Sequence, residues 1–172
     1  MVSKKIMEIS KKFENEIIDI RHKIHQNPEL AFKENKTAEL AARELEKLSL
    51  EVKRGIYGTG VCGYLANSKD ENDKTILLRA DMDALPIKEN TGKPYSSNNK
   101  GIMHACGHDG HVAILIGVAK VLNQLKDEFY GNVKFVFQPA EEAEGGAKGM
   151  IDEGILENPE VDAALGLHLW GT

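Results

Sequence analysis

The segment from Val112 to Leu125 constrains the fold most. It is apolar nearly all round when drawn as a helix, so a helix there has to be enclosed, and a sheet is its natural partner. The strands for such a sheet are present. Thr75-Ile-Leu-Leu-Arg79 and Val133-Lys-Phe-Val-Phe137 are short apolar runs of the kind that fill central strands. Ala163-Ala-Leu-Gly-Leu167 is a further candidate, and shorter β-like runs fall at Glu51 to Arg54 and Val61 to Ala66. Ile6, Ile9, Phe13, Ile17, Ile20 and Ile24 recur at steps of three and four, which predicts a long amphipathic helix. Asn27-Pro28 should stop it, because a residue before proline resists the helical region. A second helix fits Thr37 to Leu48, with Ala38, Ala41, Leu45 and Leu48 on one side. The polar run Asn67 to Asp73 reads as a surface turn or hairpin connection, and Asn90 to Gly101 as a loop. Gly145-Gly146 allow a sharp entry to a short helix near Ala147 to Glu153. Strands alternating with helices predict an α/β sheet.

Ligands in such sheets bind beyond the carboxyl ends of the strands. Three strands here end in polar, metal-capable residues: Asp81 and Asp83, then Glu141 and Glu142, then His168. Between the first two stands His104-Ala-Cys-Gly-His-Asp-Gly-His111. That stretch holds three imidazoles and a thiol, in a chain with 6 His and 2 Cys altogether. Cys106 and His108 are two apart, so on extended chain they face one way. Asp109 before the apolar run reads as an N-cap, which starts the helix just after His108 and pushes the Cys106 thiol towards thiolate. Thiolate, imidazole and carboxylate together suit zinc, manganese, cobalt or nickel, whereas calcium and magnesium sites are built from oxygens. Glu141 and Glu142, as neighbours in extended chain, should point to opposite sides. One could bind metal while the other takes a proton from water. Asp83 could orient a ligand histidine or simply form a turn before Ala-Leu-Pro. His104 could touch substrate, His111 lies a turn into the helix, and His22 and His25 read as structural.

Charge narrows the partners. The formal net charge is −5 with no basic cluster, which argues against nucleic acid. No apolar run reaches the length of a membrane span, and the N-terminus lacks the apolar core of a signal peptide. The expectation is a cytoplasmic protein with Cys62 and Cys106 reduced.

Four motifs in order resemble the N-acyl-amino-acid amidohydrolases of the aminoacylase and zinc carboxypeptidase superfamily, which include hippurate hydrolases and plant auxin-conjugate hydrolases. They are Arg79-Ala-Asp-Met-Asp-Ala-Leu-Pro86, His104 to His111, Phe137-Gln-Pro-Ala-Glu-Glu142 and Gly166-Leu-His168. His22-Lys-Ile-His25 with Pro28-Glu-Leu30 is similar to the family's N-terminal pattern. The resemblance implies a three-layer catalytic domain with helices on both sides of a mixed sheet. It implies that Cys106, His108, Glu142 and His168 bind a pair of divalent transition metals; because a thiolate can bridge two metals, Cys106 is the expected bridge. Glu141 would be the general base and Asp83 the aspartate that orients the metal centre. The substrate would be a small N-acyl or N-aroyl amino acid; an N-acetyldiaminopimelate deacetylase or a non-catalytic metal-binding fragment is the alternative. Family members continue past this point with a lid or dimerisation domain and the rest of the catalytic domain, including a further metal-binding histidine. Residues 1–172 are therefore expected to be the N-terminal portion of the catalytic domain, inactive alone, with homo-oligomers open to the full-length form.

Overall fold

A computed structural model describes residues 2–67, 74–142 and 145–170. The chain begins with α1 (Val2–Gln26) and α2 (Asn35–Glu46), followed by β1 (Glu51–Ile56), β2 (Gly60–Leu65) and β3 (Thr75–Asp81). After a long loop come α3 (His108–Gln124), β4 (Asn132–Gln138), α4 (Gly146–Asp152) and β5 (Ala163–Gly166). Helix α1 stops one residue before Asn27-Pro28, as the proline demands. Most of the polar run 67–73 lies outside the described residues.

The five strands form one mixed sheet in the order β1-β2-β4-β3-β5. The β1–β2 and β2–β4 pairs are antiparallel, and β3 runs parallel to both β4 and β5. Side chains alternate across β4 and divide the core in two. Val133, Phe135 and Phe137 join the cluster under α1, α2 and α3, with Ile20, Ile24, Leu45, Val112 and Ile116. Val136 faces the other side with Ile56, Cys62, Leu77, Met150 and Ile155, where α4 packs. Helices therefore cover both faces, as expected.

The apolar helix packs against the sheet as its composition requires, with Ile114, Val118, Val121 and Leu122 half-buried and Gln124 exposed, and between Val112 and Leu125 it carries one buried charge. Lys120, 5% exposed, sits among apolar neighbours and reaches Glu16 Oε1 on α1 at 2.9 Å and Glu44 Oε2 on α2 at 3.1 Å. A buried ammonium must be paired, and this one joins three helices.

Helix α3 is the crossover between parallel β3 and β4, so its N-terminus stands at their carboxyl ends. β5 pairs with β3 on the side away from β4, placing its carboxyl end beside the same crevice. An isolated antiparallel bridge between Leu85 and Met103 brings the loop before α3 back to the end of β3. β5 itself is exposed along its length.

Candidate metal centre

The centre is assembled from three strand ends and one helix start. Asp81 is the last residue of β3, and Asp83 follows two residues on; both are buried. Asp83 Oδ1 accepts the Glu141 N–H at 2.9 Å, and its Oδ2 accepts the Glu142 N–H at 3.1 Å. The same Oδ1 lies 3.3 Å from His108 Nδ1. One carboxylate thus fixes the two glutamates through their backbone and faces the histidine between them.

His108 is fully buried, with Glu141 Oε2 and Glu142 Oε1 each 3.9 Å from its Nε2. Cys106 Sγ lies 3.4 Å from His168 Nε2, and the His108 and His168 rings meet edge to face at 6.3 Å. Among the described residues three overlapping sets of donor atoms each fall within 4.8 Å of one another: Cys106, His108 and His168; His108, Glu141 and Glu142; and Asp81, His108 and His111. His108 belongs to all three.

Three sequence expectations fail here for local reasons. Asp109 does not cap α3. Gly107 precedes the helix in the left-handed conformation (φ 87°), and Asp109 lies inside the first turn. Its Oδ2 accepts Arg21 Nε–H at 2.8 Å and pairs with His25 Nδ1 at 2.8 Å. Nor do Glu141 and Glu142 point apart. Ala140 has φ 52°, the glutamates form a turn rather than extended chain, and both carboxylates reach towards His108. The turn closes on Gly146, whose N–H donates to Ala140 O at 3.1 Å. A Cβ at Gly146 would stand 1.8 Å from Pro139 O, so only glycine fits there.

The third failure concerns Cys106. Burial and the neighbouring carboxylates of Glu142, Glu141 and Asp81 push its thiol up to about 12, overriding any pull from the helix N-terminus. The same crowding acts on the other groups. Burial pulls His108 down, but Asp83 and Asp81 outweigh it and the net shift is upward. Burial raises Asp81 and Asp83, yet His111 and His108 respectively lead the interactions that bring both below the ordinary carboxylate range.

These features fit a divalent metal. His108 Nδ1 and Nε2 are buried without an aligned hydrogen-bond partner, and an unsatisfied buried imidazole is costly. Four carboxylates, those of Asp81, Asp83, Glu141 and Glu142, surround it with excess negative charge. A cation compensates that charge and lets a coordinated thiol ionise.

Sequence reasoning missed one contributor, Glu34. Glu34, 0% exposed, accepts the Ala140 N–H at 3.0 Å and the Thr59 hydroxyl at 2.6 Å, which anchors the turn from behind. His25 is buried; besides Asp109 it meets Glu89 Oε1 at 3.3 Å. The role of Glu34 leaves no local signal, whereas His25 is structural as read. His104 is 4% exposed, and both its ring nitrogens lack a partner; burial lowers it to about 4.

A mixed sheet with its donors gathered at the carboxyl ends, and helices on both faces, defines a metallopeptidase-like α/β domain. Residues 77–172 match peptidase family M20/M25/M40, and the chain belongs to that family. It is 48% identical over 162 residues to thermostable carboxypeptidase 1 of Saccharolobus solfataricus, covering 92% of this chain and 40% of that protein. It is 47% identical over 163 residues to the hippurate hydrolase of Campylobacter jejuni, covering 95% of this chain and 40% of that protein. Its structure superposes with a TM-score of 0.86 on a dinuclear metal binding peptidase of the M20 family from Bacillus subtilis, at 41% identity, covering 93% of this chain and 44% of that one. The chain thus spans about 40% of the length of the curated relatives it matches.

Proposed function

We propose that the protein carrying this chain hydrolyses the amide bond of small N-acyl or N-aroyl amino acids at a two-metal centre. The supporting observation is the convergence of Cys106, His108, His168, Glu141 and Glu142 within overlapping 4.8 Å sets. The relatives named hippurate hydrolase and carboxypeptidase share one bond type, an amide whose amine side is an amino acid with a free carboxylate. On this reading Cys106, His108, Glu142 and His168 are the ligands, and residues 1–172 form the N-terminal portion of the catalytic domain. Zinc, manganese, cobalt and nickel all suit the donor set, and a cytoplasmic setting suits its free thiols.

A metal pair, when bound, supplies Lewis acidity towards water and the amide carbonyl. The chain's own groups do the rest. The Glu141 carboxylate is the more open of the pair, at 39% side-chain exposure against 26% for Glu142. It takes a proton from the attacking water at Oε and returns it to the nitrogen of the leaving amino acid. Asp83 holds both glutamate amides and faces His108 Nδ1, keeping base and ligand in one frame.

The test is metal analysis joined to an assay of acetyl, benzoyl and indole-acetyl amino acids. The full-length, metal-loaded protein should release free amino acid from at least one of them, and a chelator should abolish that release. Metal-loaded protein inert towards the whole series would reject the reading, and inertness confined to aroyl substrates would favour a deacetylase.

A further inference from the structure

His168 stands on the least covered part of the centre. It is exposed, and so are β5 before it and Leu169 after it. Within residues 1–172 specific bonds, rather than packing, place its imidazole against Cys106.

Leu169 supplies them in three ways. Its N–H donates to His111 Nε2 at 2.9 Å. Its carbonyl lies 2.7 Å from His168 Nδ1. A carbonyl can only accept, so Nδ1 of His168 carries the proton and the Nε2 lone pair is left facing Cys106. Its side chain rests over the first turn of α3, where two glycines leave a notch. A Cβ on Gly110 would stand 2.5 Å from Leu169 Cδ1, and one on Gly107 would stand 3.6 Å from Leu169 Cβ.

His111 carries the connection inward. Its Nε2 accepts from Leu169, so its Nδ1 is protonated and donates to Asp81 Oδ1 at 2.5 Å. Arg79 Nη1 stands 2.7 Å from the other oxygen of Asp81. The end of β3, the start of α3 and the segment after β5 are thereby tied through one imidazole.

We propose that Asp81, His111 and Leu169 form a latch that sets the position and tautomer of His168. The proposal rests on the metal-centre reading above and sharpens it. Both ring nitrogens of His111 are occupied, so the set Asp81, His108 and His111 is not a metal seat despite its spacing. His111 is a positioning residue, and its neighbour in the sequence of contacts, His168, is the ligand.

The test uses the metal-loaded protein, cobalt(II) as probe, and three variants. Leu169→Ala removes the side-chain anchor. Gly110→Ala fills the notch, and His111→Phe keeps a ring but deletes both bonds. Each should weaken cobalt binding about 10- to 100-fold, the usual cost of losing a group that orients a ligand. Each should also alter the thiolate-to-cobalt absorption band. The Gly110→Ala/Leu169→Ala pair should be no worse than the poorer single variant, because both act through one contact. A separate arm uses metal-free protein: amide exchange at Leu169 should be slowed at least 10-fold in wild type, and that protection should vanish in His111→Phe. Cobalt affinity and spectrum unchanged in Leu169→Ala and Gly110→Ala would overturn the latch. Wild type that binds no cobalt would instead refute the metal reading. The latch would then be judged by exchange alone, and an unprotected Leu169 amide in folded protein would sink it.

Discussion

Replacing Glu34 by alanine should destabilise the protein by roughly 2–4 kcal/mol, while glutamine should cost under about 1 kcal/mol. Glu34 and Ala140 are both 0% exposed, and the Ala140 N–H has the Glu34 carboxylate at 3.0 Å. Alanine leaves that N–H buried and unpaired, which costs about 1–3 kcal/mol. It also removes four heavy atoms. A void of roughly 50 Å³ at about 24 cal/mol per Å³ adds about 1 kcal/mol. Thr59 is only partly buried, so its hydroxyl can turn to water at little cost. Glutamine keeps Oε1 for the Ala140 N–H and offers its amide N–H to the Thr59 oxygen, so both contacts survive. Urea unfolding of the metal-free variants gives the comparison, read as a shift in midpoint at constant slope. Ala140 precedes Glu141, so Glu34→Ala should also lower turnover of the full-length protein more than Glu34→Gln. An alanine variant within about 0.5 kcal/mol of wild type would refute the anchoring role, because even the low end of the unpaired N–H cost exceeds it. Equal losses for alanine and glutamine would show that the charge matters, not the two bonds.

Glu141→Gln should retain metal yet lose a factor of about 10² or more in turnover, whereas Glu142→Gln should lose metal as well; equal metal loss, measured by elemental analysis, would erase the distinction. Chelation should lower the melting temperature by roughly 5–10 °C relative to protein held at about 100 Kd of metal, as follows from about 2.7 kcal/mol of linked stabilisation. Calorimetry with and without chelator checks this, and no shift would mean the folded chain does not bind metal. His25 gives a pH test. Asp109, against the cost of burial, raises its folded value above 6.5. Its contribution is therefore full below the unfolded value and fades as pH rises through the folded one. The difference in melting temperature between wild type and His25→Gln should shrink as pH is raised across that window; a constant difference would show that the imidazole is held for its shape.

The sheet and its helices could be read from local pattern because burial imposes period and length on each segment. The apolar faces of α1 and α2, the filled strands β3 and β4, and the packing of α3 on the sheet all followed from that constraint. What pattern could not show were groups that pair over long distances in sequence. Asp109 has the form of an N-cap, but its partners Arg21 and His25 lie 88 and 84 positions away, and two strong bonds outweigh one cap. Lys120 looks like an interruption in an apolar helix until Glu16 and Glu44 are brought against it. The opposed glutamates failed because Ala140 turns the chain one residue too early for the alternation of a strand to apply.

The candidate ligands were legible for a chemical reason. A transition metal needs thiolate, imidazole or carboxylate, and those donors are rare enough in a short stretch to be noticed. The groups that hold the donors in place act on peptide bonds instead. Asp83 binds the amides of Glu141 and Glu142, Glu34 binds the amide of Ala140, and His111 binds the amide of Leu169. Every residue but proline carries such an N–H, so the donating end of each bond leaves no mark on the amino-acid sequence. At the other end, a lone Glu34 or His111 has the same letter as any surface glutamate or histidine. Only a fold that brings residue 34 against residue 140, and residue 111 against residue 169, distinguishes them.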